Sequence, residues 1–245
     1  MAGEAQSNVA RHPTDVGWPD MSWRPLYRAG GVAALLYVVL VLIPVVLVFF
    51  APLPPTEGRA LLEYIAAHKV VYLTELVSFV GLSVPALVMF SALALALKDL
   101  NKTMATIGGL FGIASEVIAL AMGSSPQSLH GGLVLLSNSY AATESDAERA
   151  GFVSAADALI AATNAVSLGG ILTAIAILLL SLIMRRGTFG NVVGNVGVVT
   201  GAAGIVSEPL APTIGWGYTF YGLLLPIWFA LVGWKLLQLT RRSAG

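Results

Sequence analysis

Apolar residues in this chain fall in long runs, broken by short polar stretches rather than by the alternation of a soluble amphipathic fold. Six runs stand out, at 31–50, 70–97, 104–122, 161–184, 190–207 and 216–237. A helix rising about 1.5 Å per residue needs about 20 mostly apolar residues to cross about 30 Å of hydrocarbon. The pattern therefore predicts an all-α, polytopic transmembrane bundle of six spans. The fifth run is the shortest and least hydrophobic; without it the chain has five spans and its ends lie on opposite sides.

Charge placement favours six. Arg11, Arg24, Arg28, Lys98, Lys102, Arg185, Arg186, Lys235, Arg241 and Arg242 fall on one side, and only Arg59, Lys69 and Arg149 on the other. Lys and Arg concentrate in short cytoplasmic loops, which puts both ends of the chain inside. Trp18, Trp23, Trp216 and Trp234 flank spans, where amphipathic rings settle at the interface.

The segments between spans carry patterns of their own. Residues 1–27, with Pro13, Pro19 and Pro25, read as an irregular cytoplasmic arm ahead of a bundle over 28–240 and a short tail at 241–245. After Pro54 and Pro55, Thr56 is placed to cap an amphipathic helix over 57–68 that lies on the outer surface or bends into the second span. Ser145 and Glu148 have capping-box spacing. A helix opening there and running to Arg185 would measure roughly 58 Å, so it either projects outward or breaks near Gly169 and Gly170. Residues 129–140 read as interfacial or re-entrant. Pro44, Pro85 and Pro226 sit inside spans, where each removes a backbone donor and kinks its helix.

Composition agrees with lipid as the solvent. Of 245 residues, 57% are hydrophobic and only 11% charged, with a mean hydropathy of +0.83; soluble domains carry about 25% charged residues. Thirteen basic residues balance thirteen acidic ones, so nothing points to nucleic acid. The chain has no cysteine, which removes disulfides, thiolate metal sites and Cys nucleophiles. The first twenty-five residues lack the apolar core of a cleavable leader, so the first run reads as a retained helix.

Small residues form stripes. Gly190, Gly194, Gly197, Gly201 and Gly204 recur in steps of four and three on one face of the fifth span, and the next step of four lands on Glu208. The third span repeats the device with Ala105, Gly109, Gly112, Glu116, Ala119 and Gly123, and the fourth with Thr163, Ser167, Gly170 and Ala174. Such faces let backbones approach closely, which drives association where lipid and Leu are equally apolar.

Glu116 and Glu208 thus lie on packing faces, and Glu75 lies one or two turns into the second span. Asp157 and Asn164, seven apart on one helix face, approach from above. Ionisable groups within spans are costly and face the bundle interior or a wet cavity. If the three glutamates converge, they form an outward acidic pocket in which one must keep its proton or share a cation. The plainer reading makes Glu208 and Glu75 interfacial and Glu116 a protonated tie between helices. No Lys or Arg lies at comparable depth; the possible countercharges are Lys69, Arg149, His68 and His130, all near the outer surface.

No P-loop, HExxH, GxSxG or strand-bound GxGxxG occurs. His12, His68 and His130 lie in separate segments outside the spans, against a buried bis-histidine haem, and no cofactor or metal is indicated. Asn191 and Asn195, one turn apart beside the glycine stripe, read as interhelical ties.

Three stretches carry a resemblance: LLEYIAAHKVVYLTEL at 61–76, NKTMATIGGLFGIASEVI at 101–118 and RRGTFGNVVGNVGVVTGAAGI at 185–205. Together they resemble a family of bacterial six-span integral membrane proteins known only as a domain of unknown function. The resemblance covers about residues 28–237 and implies six spans in a bacterial inner membrane. It departs at Asn191, where an aromatic residue or proline commonly enters that helix. It implies no activity and no site residues.

Two functions remain. One is a non-catalytic subunit that interacts, assembles or senses within a larger membrane complex, its partner another membrane protein or a second copy. The other is proton- or cation-coupled binding and transport of a small solute through the carboxylate pocket. An enzyme is third.

Overall fold

The computed structural model describes residues 19–122, 130–166, 169–214 and 216–242. Arg11, His12, Pro13, Trp18, Gly123, Leu129 and Ser167 lie outside the described residues, as do the side chains of Trp216 and Arg242. The described residues form helices and no strand: α1 (Arg24–Leu47), α2 (Gly58–Ala67), α3 (Lys69–Leu97), α4 (Lys102–Met122), α5 (Gly131–Ala142), α6 (Asp146–Val166), α7 (Gly170–Met184), α8 (Gly190–Ile214) and α9 (Trp216–Arg242). Six segments are long and apolar enough to cross a membrane, α6 and α7 together supplying one of them. The chain is a multi-pass helical membrane protein.

The span positions agree with the hydropathy runs, and their ends differ. α1 starts at Arg24 behind a 3-10 turn over Met21–Trp23, so the helix reaches back into the segment expected to be irregular. Pro25 makes that early start possible, because its fixed φ suits the first helical turn and its missing N–H is not needed there. α8 runs to Ile214, well past the expected end at 207, and α9 continues to Arg242. Asn101 opens α4 by accepting the Met104 N–H at 3.0 Å. Gly190 opens α8 at φ 84°, a left-handed conformation that a side chain resists.

The six long elements form a closed ring in chain order. α1 packs on α3, α3 on α4, α4 on α7, α7 on α8, α8 on α9, and α9 returns to α1, while α3 also meets α7 across the middle. Inside the ring, Tyr37 stacks on Phe229 with centroids 3.8 Å apart. Phe90 and Trp228 each meet Phe229 edge-on. Glycines make room for this: Gly30 faces Ala92, Gly31 faces Leu237 and the Gly233 carbonyl, Gly109 faces Ala94, and Gly112 lies under the Phe90 ring. The outer faces stay apolar and exposed, with Val39, Leu42 and Val46 on α1 and Leu110 and Val117 on α4 turned to the surroundings. Lipid is the solvent that suits those faces.

A second, smaller core lies at one end of the ring, where α2, α5 and α6 pack on one another. Leu61, Leu62, Ile65, Tyr72 and Leu133 are fully buried there. α5 therefore belongs to an end layer rather than dipping between the spans. Outside the bilayer, burying such side chains stabilises by about 1.5–3 kcal/mol each. Within the ring that driving force is missing, and close backbone approach takes its place.

Candidate functional site

The end layer decides where the acidic groups go. α2 was expected to be capped by Thr56. Instead Glu57 holds the cap position, and the first N–H, that of Gly58, donates to Asp157 Oδ1 of α6 at 2.8 Å. A carboxylate is the stronger acceptor, and it reaches α2 because Gly58 has no Cβ to block it. Asp157 is thus a structural cap, and Asn164, two turns on, stays exposed on α6. The expected box at α6 forms by half: the Glu148 N–H meets Ser145 Oγ at 3.4 Å. The Glu148 carboxylate accepts from the Thr143 hydroxyl instead of returning to Ser145.

The three glutamates of the spans do not form one pocket. Glu116, 8% exposed, is hydrogen-bonded to Ser83 across the α3–α4 contact. Beside it Ser115 meets the Thr173 hydroxyl and donates to the Gly169 carbonyl, so this is a polar seam joining α3, α4 and α7. The Glu208 carboxyl lies against Gly170, in the space a Cβ there would fill, at the first turn of α7. Both groups serve contacts between helices. Among the described residues no three His, Asp or Glu side chains gather as a metal could use them. Helical phase placed Glu116 and Glu208 on packing faces, but a face does not specify which neighbour it meets.

Glu75 differs. It is 4% exposed, and its Oε2 has no hydrogen-bond partner among the described residues. It lines a cleft of about 180 Å³ together with Pro44, Val45, Val48, Leu53, Pro54 and Phe79. The cleft lies where the end of α1 and the loop after it cover the start of α3. Tyr64 holds that loop in place, its hydroxyl donating to the Pro52 carbonyl at 2.8 Å. Burial, and after it the charge of Glu75, pushes the Tyr64 phenol above its usual pKa. Three of the four expected countercharges are engaged elsewhere. Lys69 donates to Asn138 at 2.9 Å. Arg149 donates to the Thr143 carbonyl and lies over the Tyr140 ring. His130 Nδ1 accepts the Gly132 N–H. His68, stacked on Tyr64 at the bend between α2 and α3, has a buried Nδ1 without a partner among the described residues.

The glycine stripe of α8 divides by function. Gly194 meets Arg185, Gly197 meets Ser181 and Trp228, Gly201 meets the α7 backbone at Ala174 and Leu178, and Gly204 meets Ala174 and Tyr221. Gly190 has open space around it and is present for its φ, not for packing. Asn191 and Asn195 are exposed on the outer face of α8. The residues that sequence reasoning missed are the cleft walls. Phe79 is one turn from Glu75 and so visible in principle, while Val45, Val48 and Leu53 come from another element and leave no local signal.

Chemically, the cleft offers one buried carboxyl in apolar surroundings, a binding arrangement rather than a nucleophile–base pair. Comparisons with protein-family models, curated proteins and solved structures find no match to this chain.

Proposed function

We propose that this protein is a non-catalytic interaction and assembly subunit of a larger membrane complex, seated in a bacterial inner membrane with both ends in the cytoplasm. The supporting observation is the layer of α2, α5 and α6. It has a core of its own and stands at the end of the ring away from the Arg- and Lys-rich loops. Its surface is polar and charged, with Glu57, Glu63, Glu144, Asp146 and Glu148 exposed. Asp157, Glu116 and Glu208 are used for holding helices together, which fits a scaffold better than a pathway. A photo-crosslinking residue at Ala147 on this layer, compared with one at Val117 on the lipid-facing side of α4, tests the reading. A discrete product from Ala147 alone, of the same mass in each preparation, agrees with it. Products equally diffuse from both positions refute it. Because the chain has no cysteine, single cysteines at Ser145 and Asn101 test orientation. An impermeant maleimide should reach Ser145→Cys in intact cells and Asn101→Cys only after permeabilisation.

One observation favours a second reading, binding of a cation or proton with a small solute. It is the Glu75 carboxyl, narrower than the three-carboxylate pocket the sequence allowed.

A further inference from the structure

We propose that the Glu75 cleft is a binding site for a primary organic ammonium carrying one compact apolar group. The inference rests on the second reading above and narrows it from cations at large to one chemical class.

Three features converge on that class. The first is charge: Glu75 is buried, and its Oε2 accepts from no donor among the described residues. Leaving an acceptor of that strength buried and unpaired is costly, so a site built around it calls for a donor that arrives with the ligand. A neighbouring Lys or Arg does not fill the need, since Lys69 and Arg149 are bonded elsewhere. The second is the wall chemistry. Apart from Glu75, the cleft is made of Pro44, Val45, Val48, Leu53, Pro54 and Phe79. A hydrated alkali ion would give up its water shell to side chains that offer no oxygen in return. An ammonium on a carbon skeleton gives the carboxylate its N–H donors and gives the walls an apolar body. Phe79 makes one wall aromatic, the residue type whose ring attracts a cation.

The third is size. The cleft holds about 180 Å³, and an apolar cavity of about 150 Å³ accepts benzene. A single ring or short branched chain fits; a polyamine does not, because a second charge would lie against Val45 or Leu53. The ligand meets Glu75 from the rim where Val45, Val48 and Leu53 are exposed, so it enters from the membrane interface.

The test uses the full chain in phosphatidylcholine nanodiscs and follows 2-phenylethylammonium by calorimetry, with 2-phenylethanol as the uncharged body of the same shape. Saturable binding of the amine is expected, weakened on the order of tenfold or more in Glu75→Gln, with the alcohol much weaker than the amine. Val45→Phe, at an exposed wall position, should also abolish binding without disturbing the fold. Competition on adding phosphatidylethanolamine would assign the same ammonium site to a lipid headgroup; no competition would assign it to a free amine. Equal binding of amine and alcohol, or of wild type and Glu75→Gln, overturns the proposal. So does no amine binding at all. In that last case a Glu75-dependent response to sodium, potassium or protons would leave the broader cation reading standing, and its absence would remove that reading as well.

Discussion

Asp157 caps a helix to which it does not belong: its Oδ1 takes the Gly58 N–H at 2.8 Å, 99 positions along the chain. An N-cap acceptor contributes about 0.5–2 kcal/mol, and here it also joins α6 to α2. Asp157→Ala should lower stability by about 1 kcal/mol, with faster amide exchange in the first turn of α2. Gly58→Ala should do the same, since its Cβ would meet the Asp157 carboxyl. Unchanged exchange from Gly58 to Leu61 in both variants would show that the cap is not needed.

The α7–α8 contact depends on backbone approach. A Cβ on Gly201 would lie 2.7 Å from both the Ala174 carbonyl oxygen and the Leu178 nitrogen, backbone atoms that cannot step aside. Gly201→Ala should therefore cost about 1–3 kcal/mol, read as a lower midpoint of unfolding in mixed micelles. Gly151→Ala on exposed α6, where nothing lies within 4 Å, should instead be neutral or stabilising by up to about 1 kcal/mol. The opposite order would rule out close packing as the reason for the stripe.

Glu116 and Ser83 form a tie between α3 and α4. Glu116→Gln keeps a group able to bond the Ser83 hydroxyl and should leave the unfolding midpoint nearly unchanged. Ser83→Ala leaves the Glu116 carboxyl without that partner and should cost about 1–3 kcal/mol. If Glu116→Gln is the more damaging change, the charge of Glu116 matters and its role is more than a tie.

Asp20 makes the start of α1 sensitive to pH. The Ser22 hydroxyl and N–H donate to its Oδ1 at 2.8 and 3.0 Å, and Lys98 stands 3.6 Å away. These bonds to Ser22, and after them Lys98, hold the Asp20 carboxyl below the ordinary Asp value. With the folded value depressed, the interaction is complete above the ordinary Asp pKa of about 3.9 and is lost as pH falls from there through the folded value. Trp23, exposed beside it, should report the loss as a fluorescence change in that acid window. Asp20→Asn should flatten the profile; a profile identical to wild type would show that Asp20 is not the group responsible.

Much of the architecture was legible because membrane spans are written locally. Twenty apolar residues in a row state their own length, and glycines at steps of four and three state which face approaches a neighbour. Gly201 and Gly112 were readable for that reason. Contacts between distant segments were not. Nothing near Gly58 announces Asp157, and nothing near Glu75 announces Val45 or Leu53. Whether Glu75, Glu116 and Glu208 converge was open for the same reason: shared depth along three helices says nothing about their azimuth around the ring. Thr56 was a reasonable cap by residue type, and it gave way to a charged acceptor brought in by tertiary structure.

The seam between α1 and α9 has a consequence for biogenesis. A chain made from its N-terminus delivers α1 to the bilayer well before α9. Until α9 arrives, Gly31 has no Leu237 or Gly233 to meet, and Tyr37 has no Phe229 to stack on. The nascent protein is therefore an open arc with a sticky, glycine-lined edge, vulnerable to any other helix passing in the lipid. A stalled or truncated chain lacking α9 would be a candidate for mispairing or quality-control proteolysis, however sound its first five crossings.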